Sequence, residues 1–356
     1  MTIPLFADVD TGIDDAWALL TLLSNPRADL VGVACTAGNV SVDQVCANTL
    51  AVLELAGRAD IPVSQGREAP LRLAPGEWFE VADDTHGGSG LGYATVAEAQ
   101  AWTTHYDAAE AWVQAARARP GELVGLVTGP LTNLALALRA EPELPRLLKR
   151  LVIMGGAFDY PGNTTPVAEW NVHVDPEAAK EVFDAWSEAI ERGATSVLDG
   201  APLELPLICG LNLTERIVLT PERLRTLSEL VEGAGTAAMS AEDPRGTRST
   251  ARNPLLRLLE DATRFYFEFH HDQGEGYIAH MHDPFAAEAA VDPEIVLTAP
   301  ASVDVELLGL ITRGMTVADW SGKWRREPNA AVAVTTDPGA FFDRVLPRLA
   351  AFLRGL

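Results

Sequence analysis

The chain is short of three things that would each mark a class of protein: cysteine, positive charge and uninterrupted hydrophobic runs. Its 356 residues hold three cysteines, Cys35, Cys46 and Cys209, which form neither a paired framework nor a zinc spacing. Lys and Arg number 27 against 50 Asp and Glu, for a formal net charge of -23. That balance argues against binding a phosphate backbone, which wants clustered cations, and suits a small neutral ligand better. No segment approaches the ~18 consecutive apolar residues of a membrane span. Residues 1–7 also lack the basic start and apolar centre of a secretory leader. The expectation is a cytoplasmic protein with neither a nucleic acid nor a membrane as partner. No long Pro/Gly/Ser linker divides the chain, and no repeat of about 20–50 residues is apparent. The 47% apolar content can fill a sizeable core, so residues 1–356 are expected to form a single domain.

What is present is acid in one place. The segment Phe6-Ala7-Asp8-Val9-Asp10-Thr11-Gly12-Ile13-Asp14-Asp15 sets four carboxylates within eight residues. A strand-to-helix corner needs one capping Asp. Four held close together repel one another and require a cation, protonation or strong hydrogen bonding, and a divalent metal is the economical answer.

The surrounding period is α/β. Pro4 to Ala7 reads as a buried strand, Asp15 to Ser24 as a helix and Leu30 to Thr36 as a second strand. Helices follow at 42–57, 108–118 and 131–139, with strands at 61–64, 123–128 and 150–154. In the less regular second half, helices are expected at 178–190 and 254–270, with strands at 205–211 and 332–335 before a last helix. Such alternation implies a Rossmann-like, open, mostly parallel sheet with helices on both faces. Ligands bind such sheets at the carboxyl ends of the strands. There the sequence places Asp8 to Asp15, Asn39, Thr128 in Thr128-Gly129-Pro130-Leu131-Thr132-Asn133, and Met154-Gly155-Gly156. Turn chemistry or helix entry explains any one of these; four together point to a site.

Several readings of the acids compete. An EF-hand loop starting at Asp8 fails because its sixth and twelfth positions hold Ile13 and Leu19. A Mg²⁺-dependent phosphatase of the haloacid-dehalogenase type would use Asp8 of Asp8-x-Asp10 as nucleophile, but that pattern leaves Asp14 and Asp15 unexplained. Capping accounts for one of those two. A hard oxygen site for Ca²⁺ or Mg²⁺ accommodates all four, and no His or Cys cluster with ligand spacing argues for zinc. Downstream, Asp283-Pro284 has the form of an ordinary helix start, as Asp175-Pro176 does. His282 beside Asp283 adds a proton donor or a metal neighbour. Asn163, Glu169 and Asn171 offer directional groups for sugar hydroxyls, and His86 in His86-Gly87-Gly88-Ser89-Gly90-Leu91-Gly92 sits in a turn or a lid.

Taken in order, these segments resemble the inosine-uridine-preferring nucleoside hydrolases, together with Ala37-Gly38-Asn39, Ala168-Glu169-Trp170-Asn171 and Gly314-Met315-Thr316-Val317-Ala318-Asp319. The resemblance implies hydrolysis of the N-glycosidic bond of a purine or pyrimidine ribonucleoside to free base and ribose, in nucleoside salvage. It implies a Ca²⁺ held by Asp10, Asp15, Asp283 and the Thr128 carbonyl, with Asp10 as general base towards a metal-bound water. It further implies ribose contacts from Asp14 and Asn171, with Asn163, Glu169 and Met154 reaching the 3′ and 5′ side. On the base side it places Asn39, His86 and His282, the last to protonate or polarise the leaving base. The chain has Ser89, Thr11 and Asn212 where the family often has Asp, Pro and Asp. Trp78 and Trp170 are candidate stacking partners. A homodimer or homotetramer is the implied assembly, and a non-catalytic nucleoside- or ribose-binding protein is the alternative from another class.

Overall fold

The computed structural model describes residues 2–73, 79, 81–233, 235 and 237–356, with the backbone alone at Asp83; Trp78 lies outside the described residues. Its strands are β1 Ile3–Val9, β2 Ala28–Cys35, β3 Val63–Gln65, β4 Leu123–Val127, β5 Leu148–Met154, β6 Leu207–Cys209, β7 Val218–Leu219, β8 Ala279–His280, β9 Val296–Val305, β10 Thr316–Asp319 and β11 Ala330–Thr336. Nine of them form one sheet in the order β10-β9-β11-β6-β5-β4-β1-β2-β3. Pairing is parallel from β3 across to β11 and antiparallel only where β9 joins β11 and β10. β7 and β8 form a separate antiparallel pair.

Alternation along the strands decides which face each residue serves. Leu5, Ala7 and Val9 enter one core cluster, with Val33, Cys35, Val124, Leu126, Val152 and Met154. Phe6, Ala34, Val127 and Ile153 enter the other. The first face is covered by the helices Ile13–Ser24, Pro254–Asp272, His282–Val291 and Pro338–Arg354; the second by Ala108–Ala118, Thr132–Ala140 and Pro176–Glu191. The helix Ile13–Ser24 is buried almost throughout, including Asp14 and Asp15 in its first turn, and beyond that turn it is almost wholly apolar, as a helix enclosed on all sides must be. Trp17, Leu19 and Leu20 each stabilise the fold by roughly 1.5–3 kcal/mol through burial.

The expected sheet with helices on both faces is therefore present, and the first-half elements fall within a few residues of their sequence positions. β9 was not expected because Pro300 interrupts it. Pro300 faces Ala331, whose N–H bonds Pro206 on the opposite side, so the missing proline N–H breaks no ladder bond there. The helix Pro221–Glu232 was not anticipated either.

Candidate active site at the strand ends

β1 has β2 on one side and β4 on the other, so the chain reverses its strand order there and opens a crevice. A cleft of about 1060 Å³ occupies that place. Asp10, Asp14, Asn39, Thr128, Met154, Glu169, Asn171 and Asp283 line it, so the strand-end residues singled out in the sequence meet at one site, together with His86, Asn163, Trp170 and His282.

The four N-terminal acids separate by the direction of the chain. Asp8 lies within β1 on the face of Phe6, fully buried. Its carboxylate accepts hydrogen bonds from Trp112 Nε1 at 2.7 Å and Asn133 Nδ2 at 2.9 Å, and burial pushes its pKa up to about 6 against those bonds. Asp8 does not line the cleft. A phosphatase reading loses its nucleophile, because both Asp8 oxygens are committed beneath the sheet.

Asp10, Asp14 and Asp15 lie beyond the strand and face inward. Asp10 Oδ2 accepts from the Asn39 backbone at 2.9 Å. That approach requires Gly38, whose absent Cβ would fall 2.1 Å from the same oxygen. Asp15 takes the Gly12 N–H at 2.9 Å, closing the first helical turn. It also accepts from the Thr128 hydroxyl at 2.7 Å and from Asn39 Nδ2 at 3.2 Å. Asn39, expected on the base side, thus lines the cleft while donating to two acids.

Asp283 completes the group from a distant element. Asp175 caps its helix by accepting from Ala178 N at 3.0 Å, but the helix at Asp283 starts one residue earlier, at His282, and no side chain caps it. The ordinary reading of Asp283-Pro284 as a cap therefore does not hold; its carboxylate lies with those of Asp14 and Asp15, one oxygen of each within 4.8 Å of the others. Burial and these neighbours raise Asp10 and Asp283 well above the carboxylate range, and burial with Asp15 brings Asp14 to about 7. No Lys or Arg lines the cleft among the described residues. A buried acidic group without a cationic side chain is chemically suited to a metal ion.

Asn171 ties two strand ends together, donating from Nδ2 to the Thr128 carbonyl at 2.7 Å and to the Met154 carbonyl at 3.3 Å. One Thr128 lone pair remains for a further partner. Glu169 caps the short helix Trp170–Val174, taking N–H groups of Asn171 and Val172, and also holds Gly156 N at 2.9 Å. Asn163, on the exposed rim, accepts from Trp170 N at 3.0 Å.

Imidazoles form the opposite wall. His86 Nδ1 accepts from Ile13 N at 3.1 Å, and burial with His270 nearby lowers its pKa to about 3. The loop behind it is fastened, with Gly92 N on His86 O and Asn48 Nδ2 on both Ser89 O and Thr11 O; these bonds make it a wall of the site. His282 Nδ1 bonds the Thr214 hydroxyl at 2.8 Å, and that hydroxyl also reaches Gly210 O. Burial and the other three cleft histidines hold His282 well below its usual value. Asn212 donates to Ala333 O at 2.9 Å and does not line the cleft.

The description of the inosine-uridine preferring nucleoside hydrolases matches residues 5–343. The chain belongs to that family. A pyrimidine-specific ribonucleoside hydrolase, RihA of Citrobacter koseri, is 34% identical over 353 residues, covering 99% of both chains. Among solved structures, a purine-preferring ribonucleoside hydrolase from Gardnerella vaginalis is 27% identical with a TM-score of 0.83, covering 99% of this chain and all of its own. The plant nucleoside hydrolase PpNRh1 is 30% identical with a TM-score of 0.82, covering 99% of this chain and 100% of its own.

This nucleoside hydrolase is an enzyme acting on ribonucleosides, with an acidic group able to take a metal. Sequence reading missed part of its cleft: Tyr160, Glu215, Tyr266, His270, Glu275 and His280 also line it. None falls in a local motif. His270, Glu275 and His280 are spaced five apart, a signal that means little until a helix end and a strand bring them together.

Proposed function

We propose that this enzyme binds Ca²⁺ through Asp10, Asp15, Asp283 and the Thr128 carbonyl and hydrolyses the N-glycosidic bond of ribonucleosides with Asp10 as general base. The observation that carries the reading is the convergence of buried carboxylates from the helix that follows β1 and from residue 283, with no cationic side chain in the cleft wall among the described residues. The donors are oxygens, the choice of a hard cation. When bound, the cation supplies Lewis-acid activation of water and a fixed direction for the sugar hydroxyls.

The chain's own residues do the rest. Asp10, steadied by the Asn39 N–H, takes a proton from the water attacking C1′ as the C1′–N bond breaks through an oxocarbenium-like transition state. Asp14 and Asn171 hold ribose hydroxyls, and Asn163, Glu169 and Met154 bound the 3′ and 5′ side. These contacts select the reactive geometry. The base lies towards His86 and His282, and His282 polarises it as the bond to C1′ lengthens. The single Thr214 hydroxyl proton can go to Gly210 O at 3.2 Å or to His282 Nδ1 at 2.8 Å; when it goes to Gly210, Nδ1 carries the ring proton and Nε2 is an acceptor. Donation to the leaving base from Nε2 requires the other arrangement, with the Thr214 hydroxyl donating to Nδ1, or a second proton on the ring.

Greater identity to a pyrimidine-specific relative than to the purine-preferring one supports pyrimidine nucleosides as substrates. The test is a panel of uridine, cytidine, inosine and a phosphomonoester, read as reducing sugar and as phosphate. Ribose released from the nucleosides, most rapidly from the pyrimidines, is expected; phosphate release alone would reject hydrolysis at C1′. Assembly as a homodimer or homotetramer in the cytoplasm, for nucleoside salvage, belongs to the same proposal. The exposed Leu308, Leu310 and Ile311 give it an apolar contact; sedimentation as a 38.1 kDa species would count against it.

A further inference from the structure

Opposite the acids, the cleft carries a second ligand set of different chemistry. His270, Glu275 and His280 each place one ligand atom within 4.8 Å of the others. Glu275 Oε2 lies 3.8 Å from His270 Nε2 and 3.4 Å from His280 Nε2. A tetrahedral zinc centre spaces its ligand atoms about 3.3 Å apart, so small side-chain adjustments suffice.

Three separate devices of the fold bring these groups together. His270 stands in the last turn of the helix Pro254–Asp272. That helix ends in a paired turn, with Gly274 N on His271 O and Glu275 N on His270 O, both at 3.0 Å. The turn needs Gly274, whose φ is +82°, and it folds Glu275 back over the imidazole that precedes it. His280 comes from β8, held in register by its pairing with Val218 of β7.

His270 is also in the state a metal requires. His270 Nδ1 lies 2.8 Å from the Tyr266 carbonyl. A carbonyl only accepts, so Nδ1 carries the proton and Nε2 keeps its lone pair; metal-bound histidines are commonly oriented in this way. Burial and His280 hold the His270 pKa down to about 4, so the ring is neutral at pH 7. His280 Nδ1 is buried with no hydrogen-bond partner among the described residues, and its ring packs edge-on to His270 at 4.9 Å. Among the described residues, neither Lys nor Arg lines this wall.

We propose that His270, Glu275 and His280 form a second metal site, for Zn²⁺ or a similar transition ion, whose open coordination position faces the cleft. Two nitrogens and one carboxylate favour a borderline-soft ion, whereas the all-oxygen group across the cleft favours Ca²⁺. His280 lies beside His282, with ring centroids 5.6 Å apart. An ion there occupies the base side of the cleft and competes with nucleoside. Only this kinetic consequence rests on the proposed hydrolysis; the binding does not.

The test is a titration of the whole protein, saturated with calcium, with Co²⁺ followed by visible absorption. An intense low-coordinate cobalt band saturating near one ion per chain is expected, lost on adding zinc. Glu275→Gln and His280→Ala should weaken it at least tenfold. Glu275 is half exposed, so Glu275→Gln should keep the wild-type unfolding midpoint, and a matching midpoint assigns the lost band to the ligand. Zinc should inhibit ribose release competitively with nucleoside, the inhibition constant rising at least tenfold in Glu275→Gln. A weak, six-oxygen-type spectrum, or a band unchanged in both variants, would overturn the site. An intense band without zinc inhibition would overturn its place on the base side. If no nucleoside is hydrolysed at all, the catalytic reading fails while the cobalt spectrum still decides this one.

Discussion

Replacing Asp8 and replacing Asp10 should injure the protein in different ways, although a single residue separates them. Asp8→Ala strands the Trp112 and Asn133 donors in the interior and should cost about 1–3 kcal/mol of stability, read as a lower urea midpoint. Asp10→Asn keeps an oxygen for the Asn39 N–H and should leave the midpoint and much of the metal binding in place. Its turnover should fall by at least ~100-fold, the scale of a lost general base. Unchanged turnover in Asp10→Asn removes it from that role. The acidic cluster was legible because it is local in sequence. The division between the two acids was not, since it depends on Asp8 lying within the strand and Asp10 beyond its end. Asp175 and Asp283 carry the same Asp-Pro signature, and only where each helix begins tells the cap from the member of the acidic group.

At the scale of elements, the strands and helices from residue 3 to 154 were readable because buried parallel strands run apolar and end in turns. β9 hid behind Pro300, and β7 and β8 are too short to show a period. That last pair matters, because it carries His280 to the end of the helix that bears His270. This helix end also supplies a pH dependence. His270 is held near 4 against an ordinary 6.5, so the unfolded chain takes up a proton that the folded one refuses. The stability this ring contributes is therefore complete above pH 6.5 and lost as pH falls towards 4, by up to about 3 kcal/mol. In chelator, wild type should lose more stability between pH 7 and pH 4.5 than His270→Gln does, judged by urea midpoints. Equal losses would mean that the ring titrates alike in both states.

Over the whole molecule, the sheet order places chain segments from residues 8–15, 39, 128, 154, 171 and 283 at one crevice. The sequence listed these sites in order, and the reversal between β1 and β4 makes them neighbours. The charge of -23 becomes specific here, because part of it is buried where an ordinary surface would have left it solvated. That burial ties folding, metal and catalysis together, since a cation that binds only the folded chain stabilises it by mass action. The most direct measurement is ribose release from the preferred nucleoside by metal-stripped protein as calcium is restored, with bound calcium counted on the same samples. Activity should be lost on stripping and return in step with calcium, saturating at about one ion per chain. Full activity in stripped protein, or activity that returns with no calcium bound, would contradict the account.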